Sequence, residues 1–471
     1  MVELKRKLGF WQAYATATGL VVAGSTMVTL GNSMGLVGPA FIVSTFLAMV
    51  ISIIIALSYA ELASILPGAG MIGDYTSVAM GKFMSIIAVL SGYFVLVATV
   101  GAAETLTASF ATQTLFPDIN TTLIAIILLT CFLIVNLLGV EIFGSIQVVL
   151  TLGIMITLSV LGLLGAFDMF TTTERIDTIF NPSGWSTVFQ SLAMGIWLFI
   201  GIEFVVPMVE EVKNPNKNIP RAMIFGLLSI FVADMLFGQA IIHYIDPSIL
   251  ANSGTPQIDG AGAMLGDFGT TMMIIVTILA AASSINSNFA AVPRMFYGLA
   301  RDGLLPQIFS YLHPKYRTPW VSIITVYVLF SLPLFIFQIG ASTLNILVLS
   351  ACTTWLISYI IAQIDVMILR KRYKYLERPF QSPFYPYTQI IGIVACIYMI
   401  FTIHPDLAVK IQIYTIAGSF LIGICSYAFI WLKYKQQPLF EPVPIEEKTQ
   451  KVSVEEEFHD EFLLDHDVKG I

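Results

Sequence analysis

Gly201, Glu203 and Pro207 fall within seven residues of each other in the stretch MGIWLFIGIEFVVPMVEEVKNPNKNIPRAM, Met194 to Met223. A carboxylate inside so apolar a run is costly, and acids at membrane depth are mostly functional. A glycine and a proline beside it suit a helix that opens and offers backbone groups to a small solute. The plainer alternative is a kink in a structural helix. A second stretch, Ala23-Gly24-Ser25-Thr26, is followed at short range by Gly31 and Gly35. Small residues at this depth serve either close helix packing or a second break whose freed amides hold a carboxylate. Interrupted helices at matching places in two halves of a chain point to an inverted-repeat transporter with its site between them.

Other polar groups lie in apolar surroundings, and each has two readings. Glu104, in GAAETLTASF, pairs with a substrate amine or bonds neighbouring hydroxyls. Asp234 is structural or part of a proton relay. Ser283, Ser284, Asn286 and Asn288 crowd one helix, where they coordinate a coupling cation or bond between helices. Trp197, one turn before Gly201, is a packing residue or a gate. Enzyme signatures are absent. The five histidines form no HExxH, the four cysteines form no CxxC, and no GxxxxGK[ST] loop occurs. No cofactor, metal site or nucleic-acid partner is expected.

These groups must be carried by membrane helices. Of 471 residues 57% are hydrophobic and 11% charged, against about 25% charged in soluble domains. The formal charge of −7 is matched by residues 441–471 alone, which hold ten acids and three lysines, so the acidity belongs to the tail. At about 20 apolar residues per crossing, the chain accommodates about twelve helices. Residues 8–60 carry no charge and hold two of them; residues 318–364 hold two more, with a break near Gln338-Ile339-Gly340. Lys5-Arg6-Lys7 precede an apolar run too long for a cleavable signal, so the first helix is expected to remain in the membrane. With both termini inside, the inner segments carry 21 lysines and arginines, while the outer loops carry Arg175 and Lys410. That asymmetry predicts a multi-pass cell-membrane protein with cytoplasmic termini and an even helix count. Residues 1–12 form a cytoplasmic N-terminus, 13–435 the membrane domain and 436–471 a polar acidic tail, disordered or a short surface helix.

The chain resembles permeases of the amino acid/polyamine/organocation superfamily over roughly residues 10–435. The likeness rests on GST at 24–26, SYAELASILPGAGMIGDYT at 58–76, FIGIEFVVPMVEEVKNPNKNIPRAM at 199–223 and RMFYGLARDGLLP at 294–306. The resemblance implies an all-α, LeuT-like 5+5 inverted-repeat fold. Its repeats would span about 13–167 and 187–368, with two further helices at about 388–432. It implies that a substrate carboxylate rests on amides near Ala23, Gly24, Ser25 and Thr26, and that the amine meets carbonyls near Phe199 and Ile200. Helix N-termini favour anions and C-terminal carbonyls favour cations, which suits a zwitterion. Thr26 departs from the glycine that relatives carry there. The fifth helix, residues 148–165, lacks the ionisable lysine of several proton-coupled relatives; Gly153 stands near that place. Coupling by a proton or a sodium ion is therefore open, with Ser283, Ser284 and Asp234 as candidates. Arg301 and Asp302 belong to an inner gate or loop, with Glu61 or Glu211 as candidate partners.

The reading that follows is a secondary active amino acid transporter working by alternating access. WLFIGIE, with Trp197 and Glu203, also resembles basic amino acid and polyamine antiporters, in which Glu203 would attract a second positive charge. A receptor that binds amino acids without moving them is the alternative of another class, and the acidic tail would suit it.

Overall fold

A computed structural model describes residues 6–116, 118–336, 341–404 and 406–448. Its helices are α1 Phe10–Val21, α2 Gly24–Val37, α3 Phe41–Ile65, α4 Ile72–Met80, α5 Lys82–Val89, α6 Val95–Leu115, α7 Thr121–Leu137 and α8 Val140–Ala166. There follow α9 Gly184–Gln190, α10 Leu192–Trp197, α11 Pro215–Ile241, α12 Pro247–Asn252, α13 Pro256–Arg301, α14 Trp320–Ile336, α15 Ala341–Arg372, α16 Tyr387–Phe401 and α17 Leu407–Tyr434. A π turn, Leu90–Phe94, joins α5 to α6, and a 3₁₀ turn, Ile202–Met208, follows α10. Among the described residues the one β-type pairing is an isolated bridge between Leu8 and Val212.

Length and apolarity explain these elements. The most apolar 18-residue window of the 25-residue α3 has a mean hydropathy of 2.6; at 1.5 Å per residue the helix is about 37 Å long, enough for a hydrocarbon core of about 30 Å. Among the described residues eight helices meet the length and apolarity of a crossing. The α1–α2 pair makes a ninth, bent by 54°, and α7, α14 and α16 are shorter apolar helices. Together they account for the twelve segments anticipated from sequence. The anticipated break at Gln338-Ile339-Gly340 lies outside the described residues, as do residues 449–471 of the acidic tail.

The bundle is organised around α13. Every residue from Ala280 to Ala300 is buried, and α13 as a whole packs on α1, α2, α6 and α8. At Gly298 the approach is so close that a Cβ would lie 2.3 Å from the Gly70 amide nitrogen. At Gly266 the helix turns through a left-handed conformation (φ 61°) that glycine tolerates and other residues resist. Helix α17 is at the periphery, with 22% of its most apolar window buried.

A chain of buried amides and hydroxyls ties four helices together. Asn136 of α7 donates to Asn286 of α13 at 2.9 Å, Asn286 donates to Gln147 of α8 at 2.7 Å, and Gln147 donates to Ser283 at 2.8 Å. The Ser283 hydroxyl donates in turn to the Gly19 carbonyl of α1 at 2.8 Å. Replacing Asn286 with leucine leaves Gln147 Oε1 and one Asn136 N–H without their partner in an apolar core, at about 1–2 kcal/mol. The Asn286→Leu protein is therefore expected to melt several degrees lower than the parent in detergent, without a change in helical content by circular dichroism.

Candidate functional site

Both segments singled out by their glycines are interrupted in the structure. Between α1 and α2, Val22 has φ −81°, ψ 71° and Ala23 is extended, so the helical ladder stops for two residues. Thr26 closes the gap. Its hydroxyl accepts from the Ala23 amide at 2.9 Å and lies within donating distance of the Val21 and Ala23 carbonyls, at 2.9 and 2.8 Å. The Thr26 hydroxyl thus bonds the broken backbone itself. The first two amides of α2 are taken by a carboxylate: Gly24 N–H donates to Glu104 Oε2 at 3.0 Å and Ser25 N–H to Oε1 at 3.2 Å.

The second interruption runs from Leu198 to Gly201, between α10 and the 3₁₀ turn. Gly201 adopts φ +101°, and a Cβ there would lie 2.4 Å from Leu20 Cδ2 on α1. Both the dihedral and the space require glycine. The Gly201 N–H, which has lost its helical partner, donates to the Tyr359 hydroxyl at 3.2 Å. Tyr359 donates onward to Glu203 Oε2 at 2.8 Å, while Glu203 Oε1 accepts from Trp355 Nε1 at 2.8 Å and Tyr93 at 3.1 Å. Glu203 is fully buried, and its carboxylate is saturated by three donors from α15 and the π turn.

Between the two breaks lies a cavity of about 20 Å³, room for about one water molecule. Ala23, Ser25, Thr26, Trp197 and Ile200 line it, with Glu104 and Ser284. Three of its lining residues, Ser25 through Oγ, Trp197 through Nε1 and Asn288 through Oδ1, carry buried polar atoms without a hydrogen-bond partner among the described residues. Unpaired buried polar atoms are uncommon and mark where a ligand can bind. Gly24 does not line the cavity; its amide bonds Glu104, which does.

The remaining sequence candidates sit elsewhere. Phe199 and Gly201 are buried in the second break but do not line the cavity. Glu203 lies behind it, facing aromatic donors rather than the space. Ser283 is engaged by Gln147 and Gly19, and Asp234, buried on α11, does not line the cavity either. Sequence reasoning missed Trp355, which lines the cavity, and its partner Tyr359. Their i, i+4 spacing in an uncharged run was the available signal.

The two ends of the bundle differ. At the end away from the basic loops, a recess of about 500 Å³ reaches Ser25 and is flanked by Thr29, Asn32, Thr107 and Phe110. The basic end is closed by ion pairs. Arg294 bonds Glu211, both buried, and Arg370 bonds Glu61 at 2.6 and 2.7 Å. Arg301 lies 3.7 Å from Glu210. Lys448, from the segment after α17, inserts between Asp74, at 2.6 Å, and Asp302. The expected pairing of Arg301 or Asp302 with Glu61 or Glu211 is thus corrected: those two acids are claimed by arginines on α15 and α13, and Asp302 by the tail. Burial works against the Lys448 charge, but Asp74 and Asp302 outweigh it and hold the ammonium above its ordinary value.

An all-helical bundle of this length, with two interrupted segments facing one cavity, has the LeuT-like architecture of multi-pass transporters. The family model described as amino acid permease matches residues 8–425. The chain belongs to the amino acid permease family. Among curated relatives, the glutamate/serine transporter AimA of Bacillus subtilis is 28% identical over 81% of this chain and 74% of its own length. The branched-chain amino acid permease BcaP of the same organism is 25% identical over 88% and 92%. The putrescine transporter PotE of Escherichia coli is 25% identical over 86% and 93%. A crystal structure of an Eremococcus coleocola manganese transporter superposes with a TM-score of 0.59 over 92% of this chain and 98% of its own, at 12% identity, and so shares the fold.

Glu203→Gln sets an amide N–H₂ against donors that need an acceptor, at about 1–3 kcal/mol. We expect this variant to lose thermal stability and to lose transport of neutral and basic amino acids in parallel, measured by detergent melting and by uptake. Loss confined to basic amino acids would put Glu203 in contact with the substrate.

Proposed function

We propose that the protein carries neutral amino acids across the cell membrane by alternating access, with both termini cytoplasmic. The transport step itself is what the family does; the substrate class, the orientation and the residue roles are our reading. The observation that carries it is the opposition of two broken segments across one cavity. The α2 amides of Gly24 and Ser25 offer partial positive charge to a carboxylate, and the second helix is interrupted at Phe199 and Ile200. Unpaired Trp197 Nε1 and Asn288 Oδ1 supply further polar contacts. Apart from Ser25, Thr26, Ser284 and Glu104, the last already bonded to the α2 amides, the rest of the lining is apolar, with Leu20, Leu96, Val100 and Trp355 prominent, which supports a side chain without charge.

In this reading the recess above Ser25 is the outer vestibule and the ion pairs at the basic end are the closed inner gate. The repeats at about 13–167 and 187–368 would rock against each other about the cavity, and the Arg294–Glu211 and Lys448–Asp74–Asp302 contacts would part as the inside opens. Saturation of Glu203 by three donors argues against a basic amino acid or polyamine as the preferred solute. The residues of the site carry no constellation for bond-making chemistry, so we read the chain as a carrier and not an enzyme.

The test is uptake and exchange of labelled amino acids in proteoliposomes, run with and without proton and sodium gradients. Neutral amino acids should be transported, and Gly201→Leu, whose side chain must enter space held by Leu20 at a left-handed backbone position, should still insert in the membrane but melt lower and lose transport. Saturable binding without flux would turn the assignment to a receptor, and full activity in Gly201→Leu would remove the second break from the site.

A further inference from the structure

We propose that Glu104 is a built-in occupant of the carboxylate site. Its side chain holds the Gly24 and Ser25 amides when no solute is bound, and must leave them before an amino acid can bind. This rests on the amino acid reading above and adds to it a residue with which the substrate competes.

The geometry is that of a bound ligand. Each carboxylate oxygen takes one amide, Oε2 from Gly24 at 3.0 Å and Oε1 from Ser25 at 3.2 Å. The side chain is 1% exposed. Each amide has one proton to give, so a second carboxylate cannot use the same pair. Two carboxylates this close also repel strongly. A nearby cation would relieve that repulsion, but Glu104 is the one charged side chain among the cavity-lining residues, and no lysine, arginine or histidine joins it. Substrate carboxylate and Glu104 therefore exclude each other. The close approach of α6 to α2 is built in as well: a Cβ at Gly24 would lie 2.8 Å from Thr107 Cγ2 and 3.3 Å from Glu104 Oε2.

The displaced side chain has somewhere to go. Ala103 and Thr107, beside Glu104 and one turn beyond it on α6, line the recess of about 500 Å³ that also reaches Ser25. A change of rotamer carries the carboxylate from the amides towards that recess. Glu104 thus keeps the first two amides of α2 paired when no solute is present, which spares the unbonded N–H groups that an interrupted helix would otherwise leave at membrane depth. It also sets a threshold: a solute must bond the amides better than Glu104 does. An amine that lacks a carboxylate meets no such competition.

The experiment measures dissociation constants of purified protein in nanodiscs for neutral amino acids and for the matching amines without the carboxyl group. Parent, Glu104→Gln and Glu104→Asp are compared. Glutamine keeps the shape but bonds amides as a neutral acceptor, and aspartate keeps the charge but falls short of the amide pair. Both should bind amino acids more tightly, Glu104→Gln by on the order of tenfold, about 1.4 kcal/mol, while the amines, which do not compete for the amides, bind no more tightly than to the parent. A merely structural role would weaken binding or leave it unchanged. Unchanged or weaker amino acid binding in variants that melt like the parent overturns the proposal while leaving the amino acid reading intact. If no amino acid binds parent or variants and the amines do, the amino acid reading falls first and this inference with it. Should Glu104→Gln fail to fold, Glu104→Asp decides alone.

Discussion

In hydrocarbon every backbone N–H and C=O must find a partner inside the protein. An unbroken helix meets that demand by itself; a helix that opens does not. This structure opens two, and much of its polar chemistry follows from closing those accounts. Thr26 folds its hydroxyl back on Ala23 and Val21, Glu104 takes the Gly24 and Ser25 amides, and Tyr359 accepts from Gly201. The side chains that bond the breaks come partly from other helices, so the breaks also fix how α2, α6 and α15 sit against one another. A solute that binds here exchanges with bonds the protein already makes to itself.

The two carboxylates near the breaks do different work because their surroundings differ. Glu203 faces three donors carried by rigid aromatic side chains and is locked as a brace for the second break. Glu104 faces two amides and the small cavity, and its neighbours Ala103 and Thr107 line the larger recess, so in the proposal above it is held but not trapped. The same side chain at similar depth is structural in one place and exchangeable in the other.

The asymmetry of the ends follows from ordinary electrostatics. Ion pairs with a buried partner at the basic end, Arg294–Glu211 and Arg370–Glu61 among them, hold well while intact and are costly when one partner is left alone. In the proposed transport cycle such contacts would make a gate with two states rather than a continuum. The opposite end has polar side chains without comparable pairing around its recess, which suits entry of a small hydrated solute.

The sequence by itself determined the class. Apolar runs of bilayer length gave the helices, lysine and arginine placement gave their expected orientation, and Gly201 with Glu203 and Pro207 marked where one would open, because backbone length and desolvation leave little choice. Gly24-Ser25-Thr26 marked the other, though spacing left it open between packing and a break. Tertiary structure decided which polar side chain answers which. Glu203 could equally have faced a solute or an aromatic cage, and only the packing of α15 supplied Trp355 and Tyr359. Glu104 lies 80 residues from Gly24, and Lys448 reaches Asp74 across 374. Pairings at such distances depend on how whole helices are placed, and no local pattern in the chain encodes them.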